Sequence, residues 1–213
     1  MQYLASVATL LACYIFGAIP FGVIVGKVAR GVDIRDFGSG NIGFANVLRT
    51  LGPGPALAVF LLDTGKGFAA VELCRWVQPS DHLFIVAGGV LSLVGHCFSV
   101  FLKFKGGRAV ATSLGMMIGL TPAIAGIAFV LWVSLVGITR YISVASITAA
   151  LSVSAMVLFW RSQHVPIPYQ VVAVLATALI VGKHASNIRR LLNGTEPKVG
   201  QRVKLESEGG QDA

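Results

Sequence analysis

The segment from residue 38 to residue 49 combines glycines with uncharged hydrogen-bonding side chains and ends in an arginine. Its candidate ligands for an anion are Gly38, Ser39, Gly40, Asn41, Gly43, Asn46 and Arg49. Glycine lets backbone N–H groups approach an anion closely, and a guanidinium offers a fork of donors that matches a phosphate. A short helix is expected from Ala45 onward, and its amino-terminal end would attract the same anion. Glycine spacing alone would favour an ordinary flexible turn, but the Asn-x-x-Arg continuation favours a phosphate site.

A second basic turn follows an apolar run further along the chain. It consists of Lys105, Gly106, Gly107 and Arg108. Two glycines weaken a helix where the charges lie, which predicts a second anion-binding turn. Lys103 is interpreted instead as a snorkelling side chain at a helix end. His96 lies inside the apolar run, where a functional group and a histidine hydrogen-bonded within a helix bundle are both open interpretations.

A carboxylate and an ammonium group lie three residues apart within another apolar run, at Asp63 and Lys66. Side chains at this spacing share one helix face and can neutralise each other. A structural ion pair and a ligand site therefore both remain open, and we include Lys66 among the candidate phosphate ligands.

Two further clusters flank the last two apolar runs. Ser143 and Ser146 lie three residues apart on one helix face, where helix capping and helix packing are the alternatives to ligand binding. His184 and Asn187 share a face just after the final apolar run, and Glu196 follows them. A basic membrane anchor would explain the arginines of this last region, but not its histidine and asparagine.

Several familiar catalytic patterns are missing from the sequence. No histidine is followed five residues later by aspartate, and there is no Gly-x-Ser-x-Gly, Cys-x-x-Cys or His-Glu-x-x-His. The cysteines are Cys13, Cys74 and Cys97, too few and too scattered for a disulfide framework or a metal cluster. We expect no metal and no cofactor.

The composition predicts a helical membrane protein. The chain of 213 residues is 55% hydrophobic and only 12% charged, with a mean hydropathy of +0.78. These values exclude a soluble enzyme, a disordered protein and a disulfide-stapled module. The net charge of +8 does not indicate nucleic acid, because the basic residues lie at the ends of apolar runs.

Apolar runs long enough to span a bilayer lie at about 3–26, 54–73, 83–102, 143–160 and 167–183. The stretch from 107 to 138 is interrupted by Thr121-Pro122 and could form one tilted span or two short ones. With two, fourteen Lys and Arg residues fall on one side of the membrane and only Arg75 and Arg161 on the other. The positive-inside rule therefore predicts seven transmembrane helices, with the N-terminus outside and the C-terminus cytoplasmic.

We expect one transmembrane domain over residues 1–193 and a polar, solvated cytoplasmic tail over 194–213. The first residues carry no Lys or Arg, so we do not expect a cleaved signal peptide. In this topology the candidate loops open on the cytoplasmic face, where together they would form a polar basin for anionic groups.

These motifs resemble those of the bacterial membrane acyl-phosphate:glycerol-3-phosphate acyltransferases, over nearly the whole chain to about Glu196. The segment from Gly38 to Arg49 is similar to that family's phosphate-binding loop and is the most specific motif. Others begin at Asp63, Gly95 and His184, in the family's order. The sequence departs from the family pattern at Ile42 and Ser99 (usually Pro), Ala45 (Thr), Arg108 (Lys) and Ala109 (Gly). Arg108 keeps the positive charge, and Ala109 would stiffen a turn, which concerns rate rather than reaction type.

The resemblance implies transfer of a fatty acyl group from acyl phosphate to the 1-hydroxyl of sn-glycerol 3-phosphate. The products are lysophosphatidic acid, a phospholipid precursor, and phosphate. Gly38–Asn41 and Arg49 would bind acyl phosphate, while Lys105, His184 and Asn187 would serve glycerol phosphate and the reacting centre. The predicted catalytic set is Ser39, Asn41, Arg49, Lys105, His184 and Asn187. The predicted phosphate-binding set is Gly38, Ser39, Gly40, Asn41, Gly43, Asn46, Arg49, Lys66, Lys105, Gly106, Gly107, Arg108, Ser143 and Glu196.

We further expect a monomer in the bacterial inner membrane, with its active site on the cytoplasmic face. Its partners would be the two substrates and the lipid bilayer. A transporter of a phosphorylated solute is the main alternative, and it should show two repeated halves with paired broken helices. A non-catalytic membrane scaffold would not need Ser, Asn and His beside its cations.

Overall fold

The computed structural model of the chain describes residues 2–160 and 165–201. Within these residues there are ten α-helices, two single 3₁₀ turns and no strand, so the predicted all-α class is confirmed. The helices are α1 (Gln2–Ala18), α2 (Phe21–Arg30), α3 (Phe44–Leu51), α4 (Pro53–Val77), α5 (His82–Cys97), α6 (Val110–Leu120), α7 (Pro122–Thr139), α8 (Ile142–Phe159), α9 (Ile167–Lys183) and α10 (Ala185–Leu192). Arg161, Arg202 and Lys204 of the charge count, and the tail from 202, lie outside the described residues.

The first apolar run is broken near its middle. Proline 20 has no N–H to donate and cannot continue a helix, so α1 ends at Ala18 and α2 begins at Phe21. The two helices meet at a bend of 42°. The apolar run at about 3–26 therefore forms two helices, which together are long and apolar enough to make one bent span.

A second break lies at Thr121-Pro122, where α6 ends and α7 begins. The chain therefore forms two helices here rather than one, and the prediction that each is a short span stays a prediction. Helix α6 has 11 residues and is about 16 Å long, only half the thickness of the hydrocarbon core. By length and composition, three described segments could each cross a membrane, namely His82–Leu102, Pro122–Thr139 and Ile142–Phe159. There are five if the bent pairs α1–α2 and α9–α10 each form one span.

Reciprocal glycines pack α6 tightly against α4. A Cβ atom added at Gly115 would collide with the carbonyl of Thr64, and one added at Gly67 with the carbonyl of Thr112. Small residues of this kind let helix backbones approach closely inside a membrane. This contact leaves the opposite face of α6 turned towards α7, α8 and α9.

The segment after α10 folds back onto the bundle. The N–H of Val199 donates to the carbonyl of Arg140 at 2.8 Å, and the Arg140 guanidinium donates back to the Val199 carbonyl at 2.8 Å. Glu196 is buried in the same region. Glu196 and Val199, which belong to the expected tail, therefore contact the bundle.

Candidate functional site

One cavity connects the loops at one end of the bundle to the space between α6, α7, α8 and α9. At its polar end it is lined by Asn41, Gly43, Arg49, Arg108, Ser143, His184, Asn187 and Glu196. Every one of these residues was singled out as a candidate ligand from the sequence. Four separate loop regions therefore meet at one place. This agrees with the expectation that these loops lie on the same side of the membrane.

The second half of the glycine-rich loop reaches this cavity. Asn41 and Gly43 line it, followed by Phe44 and Ala45 at the amino-terminal end of α3. The Gly43 N–H donates to Asn41 Oδ1 at 2.9 Å and fixes that side chain. The predicted short helix is confirmed, although it begins one residue earlier than expected. Its first N–H groups have no partners within the helix and carry partial positive charge, which suits an anion.

Asn46 holds the first half of the loop in shape. Asn46 is buried and donates through Nδ2 to the carbonyls of Ile34 and Phe37, each at 3.0 Å. Its Oδ1 accepts the N–H of Ser39 at 2.9 Å. Because these bonds use the polar atoms of the amide, Asn46 is suited to tie the loop together rather than to bind a phosphate. Four predicted ligands are absent from the described cavity wall: Gly38, Ser39, Gly40 and Asn46.

Arg49 and Arg108 supply positive charge without a described carboxylate in direct contact. The Arg49 side chain is only 7% exposed, and no described carboxylate lies within 4.0 Å of either guanidinium group. Burial lowers the pKa of Arg49, and burial together with the nearby charge of Arg190 lowers that of Arg108 to about 10. Both groups remain protonated at neutral pH. A bound phosphate would supply the missing negative charge.

Glu196 orients two polar side chains at the polar end of the cavity, which is called the rim below. Asn187 Nδ2 donates to its Oε1 at 2.7 Å, and Arg190 Nε donates to its Oε2 at 2.8 Å. Burial alone would raise the pKa of Glu196, but these hydrogen bonds and the nearby Ser143 hydroxyl outweigh it and lower the pKa. The ionised carboxylate would repel a phosphate, so it is suited to orienting Asn187 and Arg190. Asn187 Oδ1 is buried and has no hydrogen-bond partner among the described residues.

The orientation of His184 fixes its tautomer. Its Nδ1 lies 2.8 Å from the carbonyl oxygen of Ile180, which can only accept, so Nδ1 carries the proton. In the neutral imidazole, Nε2 is then the free acceptor. A histidine held this way can receive a proton or a hydrogen bond from a hydroxyl group in the cavity.

Lys66 is placed behind the cavity wall rather than on it. Its side chain is fully buried, with Nζ 2.7 Å from Asp63 Oδ1 and 3.2 Å from the carbonyl oxygen of Ile19, which also accepts the N–H of Phe21 at 3.1 Å. His96 Nδ1 lies 3.6 Å from the same Asp63 oxygen. The structure thus favours the structural ion pair over a phosphate ligand for Lys66, whereas Asp63 and His96 do line the cavity.

Of the predicted second anion-binding turn, residues 105–108, only part lines the cavity. The N–H groups of Gly106 and Gly107 donate to the carbonyls of Cys97 and His96 at 3.1 and 3.0 Å. A Cβ atom at Gly107 would overlap the His96 ring, so the glycine is needed for close packing against α5. Lys105 is exposed outside the described cavity wall. Only Arg108 of this turn reaches the cavity.

The comparisons with known proteins identify the family. A family model described as glycerol-3-phosphate acyltransferase matches residues 7–194. A relative named glycerol-3-phosphate acyltransferase from Parasynechococcus marenigrum is 40% identical over 94% of this chain and 92% of its own length. A relative of the same name from Desulforamulus reducens is 38% identical over 95% of this chain and 99% of its own length. The chain belongs to the glycerol-3-phosphate acyltransferase family. The resemblance drawn from the motifs is confirmed.

Two solved structures extend this finding to the fold. Both are of PlsY (YgiH), described as an integral membrane glycerol 3-phosphate acyltransferase, in a glycerol 3-phosphate form and a lysophosphatidic acid form. Their TM-scores are 0.85 and 0.83 at 37% and 36% identity, and each match covers 92% of this chain and 96% of that chain. With its apolar helices, this member of the acyltransferase family is a multi-pass membrane protein.

Beyond the polar rim, the cavity of this acyltransferase family member is mostly apolar, although a few polar side chains line it, namely Asp63, His96, Ser113, Ser146 and Thr177. An aromatic group of Phe44, Phe60, Phe129 and Trp132 forms one side, with the Phe129 and Trp132 rings stacked 6.2 Å apart. Alanines make room on the other sides, namely Ala125, Ala128, Ala149, Ala150, Ala173 and Ala176. Such a space accepts a hydrocarbon chain.

Sequence reasoning did not assign Ser113 and the aromatic group to this site. Ser113 lines the cavity from α6, and Trp132 Nε1 donates to Ser146 Oγ at 3.1 Å. Neither carries a sequence motif, and the apolar residues differ in no visible way from those facing lipid. In the described parts of the chain, no group of three or more His, Cys, Asp or Glu side chains could hold a metal ion.

Proposed function

We propose that this protein transfers a fatty acyl group from acyl phosphate to the 1-hydroxyl of sn-glycerol 3-phosphate, giving lysophosphatidic acid and phosphate. One observation carries the proposal. Arg49, which is buried, and Arg108, which is half-buried, have no described carboxylate within 4.0 Å and stand at the polar end of a cavity whose other walls are mostly apolar. That arrangement matches a ligand with an anionic head and a hydrocarbon chain.

The chemistry needs little more than positioning. The hydroxyl oxygen of glycerol phosphate attacks the acyl carbonyl carbon, the bond from that carbon to the phosphate oxygen breaks, and the phosphate leaves with the electron pair. Phosphate is a good leaving group, so orientation and charge stabilisation by Arg49 and Arg108 can carry much of the rate. The hydroxyl proton can pass to a substrate phosphate oxygen, with His184 Nε2 as the side chain best placed to accept it instead.

The donor is tested with purified protein in detergent or vesicles. We expect acyl phosphate and glycerol 3-phosphate to give lysophosphatidic acid without coenzyme A, acyl carrier protein or added metal. The Arg49→Ala protein, inserted normally, is the matched control for contaminating activity. Equal turnover with acyl-CoA would contradict the proposed donor, and loss of activity with a chelator would contradict metal-independent chemistry.

We also propose one domain with seven spans, an external N-terminus, and a site on the cytoplasmic face of the bacterial inner membrane, working as a monomer. The distribution of Lys and Arg supports this topology. The three native cysteines are buried and give little background labelling. An impermeant thiol reagent should label Arg75→Cys from outside and Arg140→Cys only after permeabilisation. Labelling of Arg140→Cys in intact cells would refute the seven-span arrangement.

The transporter alternative is not favoured, because the relatives carry the name of an acyltransferase. A transporter would move a phosphorylated solute into sealed vesicles without forming lysophosphatidic acid. The donor assay distinguishes the two, since it scores a chemical product.

A further inference from the structure

Two neighbouring hydroxyl groups on α6 lack hydrogen-bond partners. Thr112 and Ser113 are 0% and 6% exposed, and neither hydroxyl oxygen has a partner among the described residues. A helical serine or threonine commonly satisfies its hydroxyl on the carbonyl four residues earlier, and a buried polar atom left alone costs about 1–3 kcal/mol. An unpaired hydroxyl in a cavity is therefore a candidate for binding what enters the cavity.

The two residues lie about 100° apart around α6 and therefore have different neighbours. Thr112 shares a face with Gly115 and Gly119, which pack against α4. Ser113 shares the other face with Val110, Leu114 and Met117, and all four line the cavity. Only Ser113 can therefore meet a ligand, and Thr112 is a natural control.

The depth of Ser113 selects the group that it can bind. Val110 begins α6 just after Arg108, and Ser113 lies about one helical turn further from the rim. Its neighbours along the cavity face are apolar. A fatty acyl phosphate with its phosphate at Arg49 and Arg108 carries one more polar group, the acyl carbonyl, and only hydrocarbon beyond it. The carbonyl oxygen is thus the acceptor available at this depth.

We propose that Ser113 donates a hydrogen bond to the acyl carbonyl oxygen of the bound donor and acts as a catalytic residue. This role rests on the proposed function. When the hydroxyl of glycerol phosphate attacks, a carbon–oxygen bond forms and the carbonyl electrons move onto that oxygen. They return to re-form the carbonyl as the bond to phosphate breaks. A donor aimed at this oxygen binds more strongly as its negative charge develops.

Kinetics of three variants test the role. We expect Ser113→Ala to lower kcat by about a hundredfold, as loss of one such donor does elsewhere, with KM for glycerol 3-phosphate little changed. Ser113→Thr keeps a hydroxyl and should recover part of the rate. Thr112→Val removes the neighbouring hydroxyl at constant shape and should keep kcat within about threefold. Full activity of Ser113→Ala would overturn the proposal.

A second readout separates catalysis from folding and from the choice of donor. A long-chain ketone phosphonate, labelled with carbon-13 at its carbonyl, binds without reacting, and infrared difference spectra report the carbonyl stretch. We expect a lower frequency in the parent protein and in Thr112→Val than in Ser113→Ala. Equal frequencies in the parent and Ser113→Ala would refute the hydrogen bond while leaving the proposed function intact. A parent protein inactive with acyl phosphate would refute the proposed function, and this role with it.

Discussion

Replacing Arg49 with lysine tests whether the guanidinium binds a phosphate or only sets membrane orientation. Lysine keeps the positive charge but loses the two-pronged donor geometry. Arg49 is 7% exposed, lines the polar end of the cavity and has no described carboxylate within 4.0 Å. Its donors are therefore free for a substrate.

The magnitude follows from the number of hydrogen bonds. A forked contact to phosphate makes two charge-assisted hydrogen bonds, each contributing about 1.5–3 kcal/mol. If lysine keeps one of them, kcat/KM should fall by about 10- to 150-fold, since 1.4 kcal/mol corresponds to a factor of ten. Burial also disfavours a charged ammonium, which adds to the loss.

The assay compares initial rates of lysophosphatidic acid formation at equal amounts of inserted protein. Arg189→Lys is the matched control, because Arg189 is exposed at the same end of the bundle and should tolerate the change. Orientation responds to Lys and Arg alike, so a purely topological role predicts full activity. An Arg49→Lys enzyme that is inserted normally and fully active would remove Arg49 from the site.

Two further predictions concern stability and chain length. Asp63→Asn leaves the buried Lys66 ammonium without its charged partner. We expect the free energy of unfolding in detergent to fall by about 3–5 kcal/mol, measured as a lower midpoint of denaturation. An unchanged midpoint would contradict the buried pair. Ala173 lines the cavity about 16 Å along α9 from His184, and Ala173→Phe would fill the cavity there. Because overpacking costs about 1–3 kcal/mol, we expect kcat/KM for palmitoyl phosphate to fall by at least about fivefold relative to that for lauroyl phosphate. Ala178→Phe on the exposed face of α9 should leave that ratio unchanged, and a parallel shift in both variants would argue against a length-measuring cavity.

The sequence was sufficient where local chemistry decides the outcome. Pro122 interrupts a helix because it lacks an N–H, and the break between α6 and α7 follows from that alone. The same rule applied to Pro20 would have placed the bend between α1 and α2, but the apolar run around it hid the signal. Residue types also predicted which loops meet, since Arg49, Ser143 and His184 reach one cavity from three regions of the chain.

The remaining features depend on partners far away in the sequence. Lys66 donates to the carbonyl of Ile19, 47 residues earlier, and nothing in the local pattern shows this contact. Asn46 looked like a ligand because asparagine binds phosphates, yet its amide is used by the backbone of its own loop. Ser113 was not predicted to be a ligand, because a serine in an apolar helix usually donates its hydroxyl to the backbone of that helix.

The position of Glu196 has a consequence for how the enzyme is made. Asn187 and Arg190 receive their carboxylate partner from a residue that follows all ten described helices. A chain emerging from the ribosome can therefore insert every one of those helices while the rim of its cavity is still incomplete. The segment through Val199 then closes onto Arg140 and completes the rim. Biosynthesis thus delays the assembled site until the end of translation, and a chain truncated before residue 196 would reach the membrane unable to complete it.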